Sequence, residues 1–309
     1  MRDVTESNFI GEFPGKSALS PDRAKLSLRL NSPDACIRIR FRYNEREQSN
    51  TMKSFFFIAC AFLLSSLSAL AQEDDMGKAN QKPHSFERSI SKTIRADYLL
   101  FLPEGYKKGD SKQWPLMLFL HGAGERGTNL NKVAVHGPPK VVKTRSDFPF
   151  ILISPQCPNG EVWNNDVLLS LLDEVSAEYQ VDSKRVYLTG LSMGGFGTWN
   201  LGLSYPDRFA AIAPICGGGD ILKILLADPK KLPALKALPI WVFHGAKDPV
   251  VHLEESERMI KALKSIGNTA RFTVYPEAGH DSWTEAYNTQ ELYDWFLQHE
   301  RFAADTKLK

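Results

Sequence analysis

Cysteine is scarce, and the few present sit badly for cross-linking or metal binding. The chain has four, Cys36, Cys60, Cys157 and Cys216, with no C-x-x-C pair and no metal-like spacing. That argues against a disulfide scaffold and against a cysteine-ligated zinc site. An excess of one charge is also missing from most of the chain. Of 38 basic and 36 acidic residues, residues 1–71 hold 10 and 7, which leaves 28 and 29 for 72–309. A nucleic-acid partner needs a basic excess, so none is expected. There is no internal repeat, and no Pro/Ser/Gly-rich linker divides 83–309. No dinucleotide fingerprint is visible, and the glycine-rich "GAGERG" at 122–127 lacks the Lys-Ser/Thr ending of a phosphate loop. Neither a cofactor nor a metal is expected.

One long apolar run does occur. Residues 52–71 read "MKSFFFIACAFLLSSLSALA": a lysine after methionine, an apolar stretch from Phe55, and small residues at Ala69-Leu70-Ala71. This three-part pattern is that of a secretory leader cleaved before Gln72. A stable membrane anchor is not expected, because spanning takes about 20 apolar residues and serines interrupt this run. The mature chain is expected in the periplasm or outside the cell. Residues 1–51 are polar, Arg-rich and without a sustained period. They read as upstream sequence from an over-extended gene model with the true start at Met52. A long leader n-region is the alternative, and fixed structure is expected in neither case. Cys157 and Cys216 then remain. They read as separate thiols, since the strands they follow should not be sheet neighbours.

Beyond a lead-in at 72–94, residues 95–309 read as one domain. Apolar runs recur at 98–103, 115–122, 150–155, 185–190, 210–217, 239–245 and 271–276. Most are continuously apolar rather than alternating, as strands covered on both faces require. Helix candidates lie between them. Residues 166–179 open on a possible Asp166 cap. Residues 253–266 carry acid early, Lys late and Gly267 as a stop, and 285–299 carry a stripe of Tyr287, Leu292, Trp295 and Phe296. Strands alternating with helices predict a mostly parallel sheet with helices on both faces. Ligands of such sheets bind beyond the carboxyl ends of the strands.

The residues just after three strands form a set. After 185–190 comes Gly190-Leu191-Ser192-Met193-Gly194, a G-x-S-x-G on a strand-to-helix turn. After 239–245 comes Asp248, and after 271–276 comes His280. Each alone has a bland reading: a glycine turn, a cap aspartate, a loop histidine. Together, in the order Ser, Asp, His on successive strands, they follow the chain order of the α/β-hydrolase triad. A serine hydroxyl needs a base, and a histidine base needs an acid to hold its tautomer. Asp281, adjoining His280 in sequence, is an awkwardly placed rival acid. An oxyanion needs donors. Met193 N–H is one, and the turn in "LHGAGERG" (120–127) offers Ala123 N–H as the other, with Gly124 as alternate. Glu125 and Arg126 read as braces of that turn, with direct substrate contact by Arg126 the lesser reading.

Together "LHGAGERG", "SPQCP…W", "VDSKRVYLTGLSMGGFGTW", "FAAIAPICGGG", "PIWVFHGAKDPVV" and "YPEAGHDSWTEAYN" resemble the exported bacterial carboxylesterases related to polyhydroxybutyrate depolymerases and feruloyl esterases. The resemblance spans roughly 95 to 299. It implies an α/β-hydrolase fold and a serine esterase with Ser192, Asp248 and His280 as its triad. It also implies Trp163 at the pocket border, a core role being an equal alternative, with Trp283 a weaker candidate. The substrate implied is a short-acyl or aryl ester, small or polysaccharide-linked. The rivals are a serine peptidase of the prolyl oligopeptidase type and a non-catalytic binding module on the same fold. The 22 residues from Gly217 to Leu238 are too few for a crossover and a helical cap together, so no large lid is expected.

Overall fold

The computed structural model describes residues 83–301. The upstream segment 1–51, the leader 52–71 and lead-in residues 72–82 lie outside the described residues. The chain divides between Arg88 and Ser89 into two compact units. Of the first, residues 83–88 are described; they are exposed and without regular structure.

The second unit carries a seven-stranded sheet: β1 (Tyr98–Phe101), β2 (Trp114–Leu120), β3 (Ile151–Pro155), β4 (Val181–Leu191), β5 (Ala211–Ile215), β6 (Trp241–Gly245) and β7 (Arg271–Tyr275). Their order is β1-β3-β2-β4-β5-β6-β7. β1 runs antiparallel to β3, and the other pairs are parallel. Each of the seven apolar runs from 98 to 276 overlaps a strand. β2 shows why the runs are continuous. Leu116, Leu118 and Leu120 enter one core, while Met117 and Phe119 enter a second. Alternate side chains point to opposite faces, so a strand buried on both faces is mostly apolar without alternating.

Helices cover both faces: α1 (Gly137–Val141), α2 (Asn165–Glu178), α3 (Met193–Ser204), α4 (Leu222–Leu225), α5 (Leu232–Ala237), α6 (Glu254–Ser265), α7 (Trp283–Asn288) and α8 (Gln290–Leu297). Leu168 and Leu172 of α2, Trp199 of α3 and Met259 of α6 pack into the first core. Tyr287 of α7 and Leu292 and Phe296 of α8 pack into the second.

Two helix expectations need correction. The cap of α2 is Asn164, whose side chain accepts from Asp166 N–H at 2.9 Å. Asp166 itself sits in the first turn, where a carboxylate suits the helix dipole. The stretch 285–299 is two helices rather than one. Thr289 is extended between them, and its hydroxyl donates back to Glu285 O at 2.9 Å. The Tyr287 carbonyl accepts from the Tyr293 hydroxyl at 2.7 Å. Gly267 does end α6, at φ +85°.

The interval between β5 and β6 holds only the short α4 and α5. β3 and β5 are not neighbours, and Cys157 and Cys216 are free and buried. Among the described residues no helix is long and apolar enough to cross a membrane.

Candidate active site

β4 is the central strand, and Ser192 follows its last residue at φ 51° and ψ −116°. A non-glycine residue rarely adopts a positive φ, and here the neighbours enforce it. Ser192 N–H donates to Ile215 O at 3.0 Å, and Phe196 N–H bonds Ser192 O at 3.0 Å as α3 begins. The flanking glycines are needed for space rather than for φ. A Cβ on Gly194 would lie 1.9 Å from Leu120 O, and one on Gly190 would lie 2.5 Å from Gly194 O. Main chain therefore packs on main chain on both sides of the turn, and the serine is held on top of it.

Three residues from three strand ends come together here. Ser192 Oγ is 2.9 Å from His280 Nε2, and His280 Nδ1 is 2.8 Å from Asp248 Oδ2. Asp248 is buried, at 5 % exposure. Its other oxygen accepts from the N–H groups of Val250 (2.9 Å) and Val251 (3.0 Å). Burial alone would raise its pKa. The His280 and backbone hydrogen bonds outweigh burial and hold the carboxyl below its usual value. Asp281 faces away: its carboxylate accepts from Thr284 N–H at 3.1 Å and from the Thr284 hydroxyl at 3.0 Å.

Two neighbours were not legible in the sequence. His244, fully buried in β6, donates from Nε2 to Val251 O at 2.8 Å, and the same nitrogen is 3.4 Å from Asp248 Oδ2. It steadies the loop that presents the acid. Cys216 has φ 39° and sits with its sulfur within 4.8 Å of ligand atoms of Asp248 and His280. Cys, Asp and His could hold a metal in principle. Here burial pushes the thiol up to about 12, and the Asp248 and His280 atoms are hydrogen-bonded to each other. The donor set fits a relay better than a metal centre.

The oxyanion candidates lie on two elements. Met193 is the first residue of α3, so its N–H has no acceptor within the helix. Ala123 begins a 3-10 turn, Ala123–Glu125, directly after β2. Arg126 ties that turn down: Nε donates to Ala123 O at 3.0 Å and Nη1 to Glu161 O at 3.2 Å. Gln156 Nε2 donates to Glu125 O at 2.8 Å. His121 joins the turn to the next loop. Its Nε2 accepts from Cys157 N–H at 3.0 Å, which leaves Nδ1–H to donate to Gly122 O at 2.6 Å. Burial lowers its pKa and so disfavours the charged ring.

Trp163 donates its indole N–H to His121 O at 3.1 Å and is 8 % exposed. It borders a cavity of about 440 Å³ lined also by Ser192, by Met193, Phe196, Gly197 and Asn200 of α3, and by Val162. A Cβ on Gly197 would come within 2.8 Å of the indole. Trp283 packs against His280 instead. Its ring meets His280 edge-on at 5.1 Å and His136 at 5.5 Å. Neither Trp283 nor Arg126 lines this cavity.

The sheet order and the strand-to-helix serine turn define the class of protein: this is the α/β-hydrolase fold. The family described as Phospholipase/Carboxylesterase matches residues 162–293. The chain is similar to the poly(3-hydroxyoctanoate) depolymerase of Pseudomonas fluorescens, 27 % identical over 213 residues, covering 60 % of this chain and 74 % of that one. It is also similar to the bifunctional acetylxylan esterase/xylanase XynS20E of Neocallimastix patriciarum, 28 % identical over 155 residues and 48 % of this chain. The match spans only 21 % of that larger protein. Among solved structures, a thermostable esterase superposes with a TM-score of 0.54 at 34 % identity, over 66 % of this chain and 59 % of that one. These likenesses are to proteins named for hydrolysis of ester bonds.

Proposed function

We propose that this protein is an exported serine carboxylic-ester hydrolase working through an acyl-enzyme. The unbroken hydrogen-bonded line from Asp248 through His280 to Ser192, which lines the cavity, carries this reading. Ser192 Oγ attacks the ester carbonyl while its proton passes to His280 Nε2. His280 Nδ1–H donates to Asp248, which favours the tautomer that accepts that proton and stabilises the imidazolium formed. The oxyanion takes the N–H groups of Met193 and Ala123, with Gly124 as the alternate donor. His280 then protonates the departing alkoxide. Water, deprotonated by the same imidazole, releases the acid and restores Ser192. Short-acyl or aryl esters suit the site, including ones borne on a polysaccharide or polymer, as the names of the relatives suggest.

A fluorophosphonate should label the wild type at Ser192 and leave Ser192→Ala unlabelled. Matched p-nitrophenyl acetate and p-nitroacetanilide should separate ester from amide cleavage. Comparable turnover of the anilide would favour a peptidase, and labelling of the Ser192→Ala chain would remove the assignment. With only α4 and α5 between β5 and β6, the site needs no interface to open it. Tributyrin hydrolysis should therefore rise smoothly through the solubility limit. Export rests on the leader pattern at 52–71. N-terminal sequencing of exported protein should return Gln72, also from a chain started at Met52.

A further inference from the structure

The cavity beside Ser192 changes character along its length. Met193, Phe196, Gly197 and Asn200 stand at i, i+3, i+4 and i+7 of α3, one face of the helix. The first three, with Val162 and Trp163, make apolar walls. Asn200 makes a polar end. That end is built. Asn200 Nδ2 donates to Asn165 Oδ1 at 3.1 Å, and Asn200 Oδ1 accepts from Lys223 Nζ at 2.7 Å. Lys223 also donates to Ser204 Oγ, one turn further along α3. Lys223 is half-buried, and among the described residues it pairs with no carboxylate. A partly desolvated ammonium held by neutral partners alone keeps an unanswered charge. One hydrogen of the Asn200 amide and one of the ammonium are likewise unused.

We propose that Asn200, backed by Lys223, is a specificity-determining residue: it selects esters with an oxygen acceptor, above all a carboxylate, at the far end of one apolar limb. This rests on the reading of Ser192 as the nucleophile. The length follows from helix geometry. Seven residues at about 1.5 Å each separate Met193 from Asn200 by roughly 10 Å, and the Asn200 side chain leans back toward the helix start. An extended six-carbon limb spans the remainder.

The test compares three limbs of equal length on the full chain. Methyl hexanoate, methyl 6-hydroxyhexanoate and monomethyl adipate vary the acyl side; hexyl acetate, 6-hydroxyhexyl acetate and 6-acetoxyhexanoate vary the alcohol side. In one series kcat/KM should rise from alkyl to hydroxyl to carboxylate, with the carboxylate favoured over alkyl by about tenfold or more, as a charge-assisted hydrogen bond allows. Lys223→Met should bring the carboxylate down to the hydroxyl. Asn200→Leu should favour the alkyl limb, and Asn200→Asp, which keeps size and polarity, should disfavour the carboxylate below both. A flat response in both series, or a carboxylate preference that survives Lys223→Met and Asn200→Asp, overturns the proposal. p-Nitrophenyl acetate turnover that vanishes in Ser192→Ala keeps the hydrolase reading standing in that event. If no ester is turned over through Ser192, both readings fall.

Discussion

The reacting groups and the cavity wall are held by different means. The serine turn is fixed by main chain against main chain, with Gly194 packed on the Leu120 carbonyl and Ser192 N–H on Ile215 O. Asp248 is fixed by two backbone N–H groups. The cavity wall is fixed by side chains: the Trp163 indole on His121 O, and Asn200 between Asn165 and Lys223. Side-chain ties can be exchanged one at a time, while a backbone packing cannot. The chemistry is therefore insulated from sequence change, and selectivity is open to it.

The sharpest break in this contrast is at the serine. Ser192→Ala should lower turnover by several orders of magnitude with thermal unfolding unchanged, since one hydroxyl leaves and no packing does. Retention of a tenth of the wild-type rate would remove Ser192 from the chemistry. Asp248→Asn should lower kcat by up to about 10⁴, because an amide favours the wrong imidazole tautomer. Asp281→Asn should leave kcat near wild type, since its carboxylate serves Thr284. The reverse pattern would exchange the acids.

Gly194→Ala tests the backbone packing itself. A Cβ 1.9 Å from Leu120 O forces the turn off the strand. Stability should fall by about 3 kcal/mol, read as a lower denaturation midpoint, and activity should fall with it. Trp163→Phe removes one side-chain tie, the indole bond to His121 O, and should cost about 1 kcal/mol. Its mark should be a several-fold rise in KM with kcat nearly kept. A loss confined to kcat would show that the wall and the oxyanion turn act as one piece.

The smallest effect concerns pH. His121 has its pKa lowered by burial, so the unfolded chain binds more protons than the folded one between the folded value and about 6.5. Stability then rises with pH through that window, and the contribution is lost as pH falls through it. Urea midpoints at pH 7.5 and 5.5 should differ less in His121→Gln than in wild type.

The inner strands were legible because burial on both faces leaves a nearly unbroken apolar run, and such runs need no tertiary information to find. Ser192, Asp248 and His280 stood out because each lies in the turn or loop that follows a strand. The break at Thr289 did not, since it depends on a tyrosine hydroxyl and a threonine hydroxyl taking over carbonyls that a continuous helix would use. Asn164 and Asp166 are both good caps by type, and the fold rather than composition chose between them. Asn200 and Lys223 were invisible for a different reason. They lie 23 positions apart, and their meeting depends on how α4 packs against α3.

The contact between Gly194 and the Leu120 carbonyl also bears on how the protein should fail on heating. Many proteins loosen locally, losing activity well before they unfold, because their working loops form a low-stability unit of their own. Here the serine turn is clamped to the end of β2, a central strand buried along its whole length. Opening the turn means parting it from a strand with no exposed position. Inactivation and global melting should then be one cooperative event, so a residual-activity curve from brief heating should overlay the circular-dichroism melt.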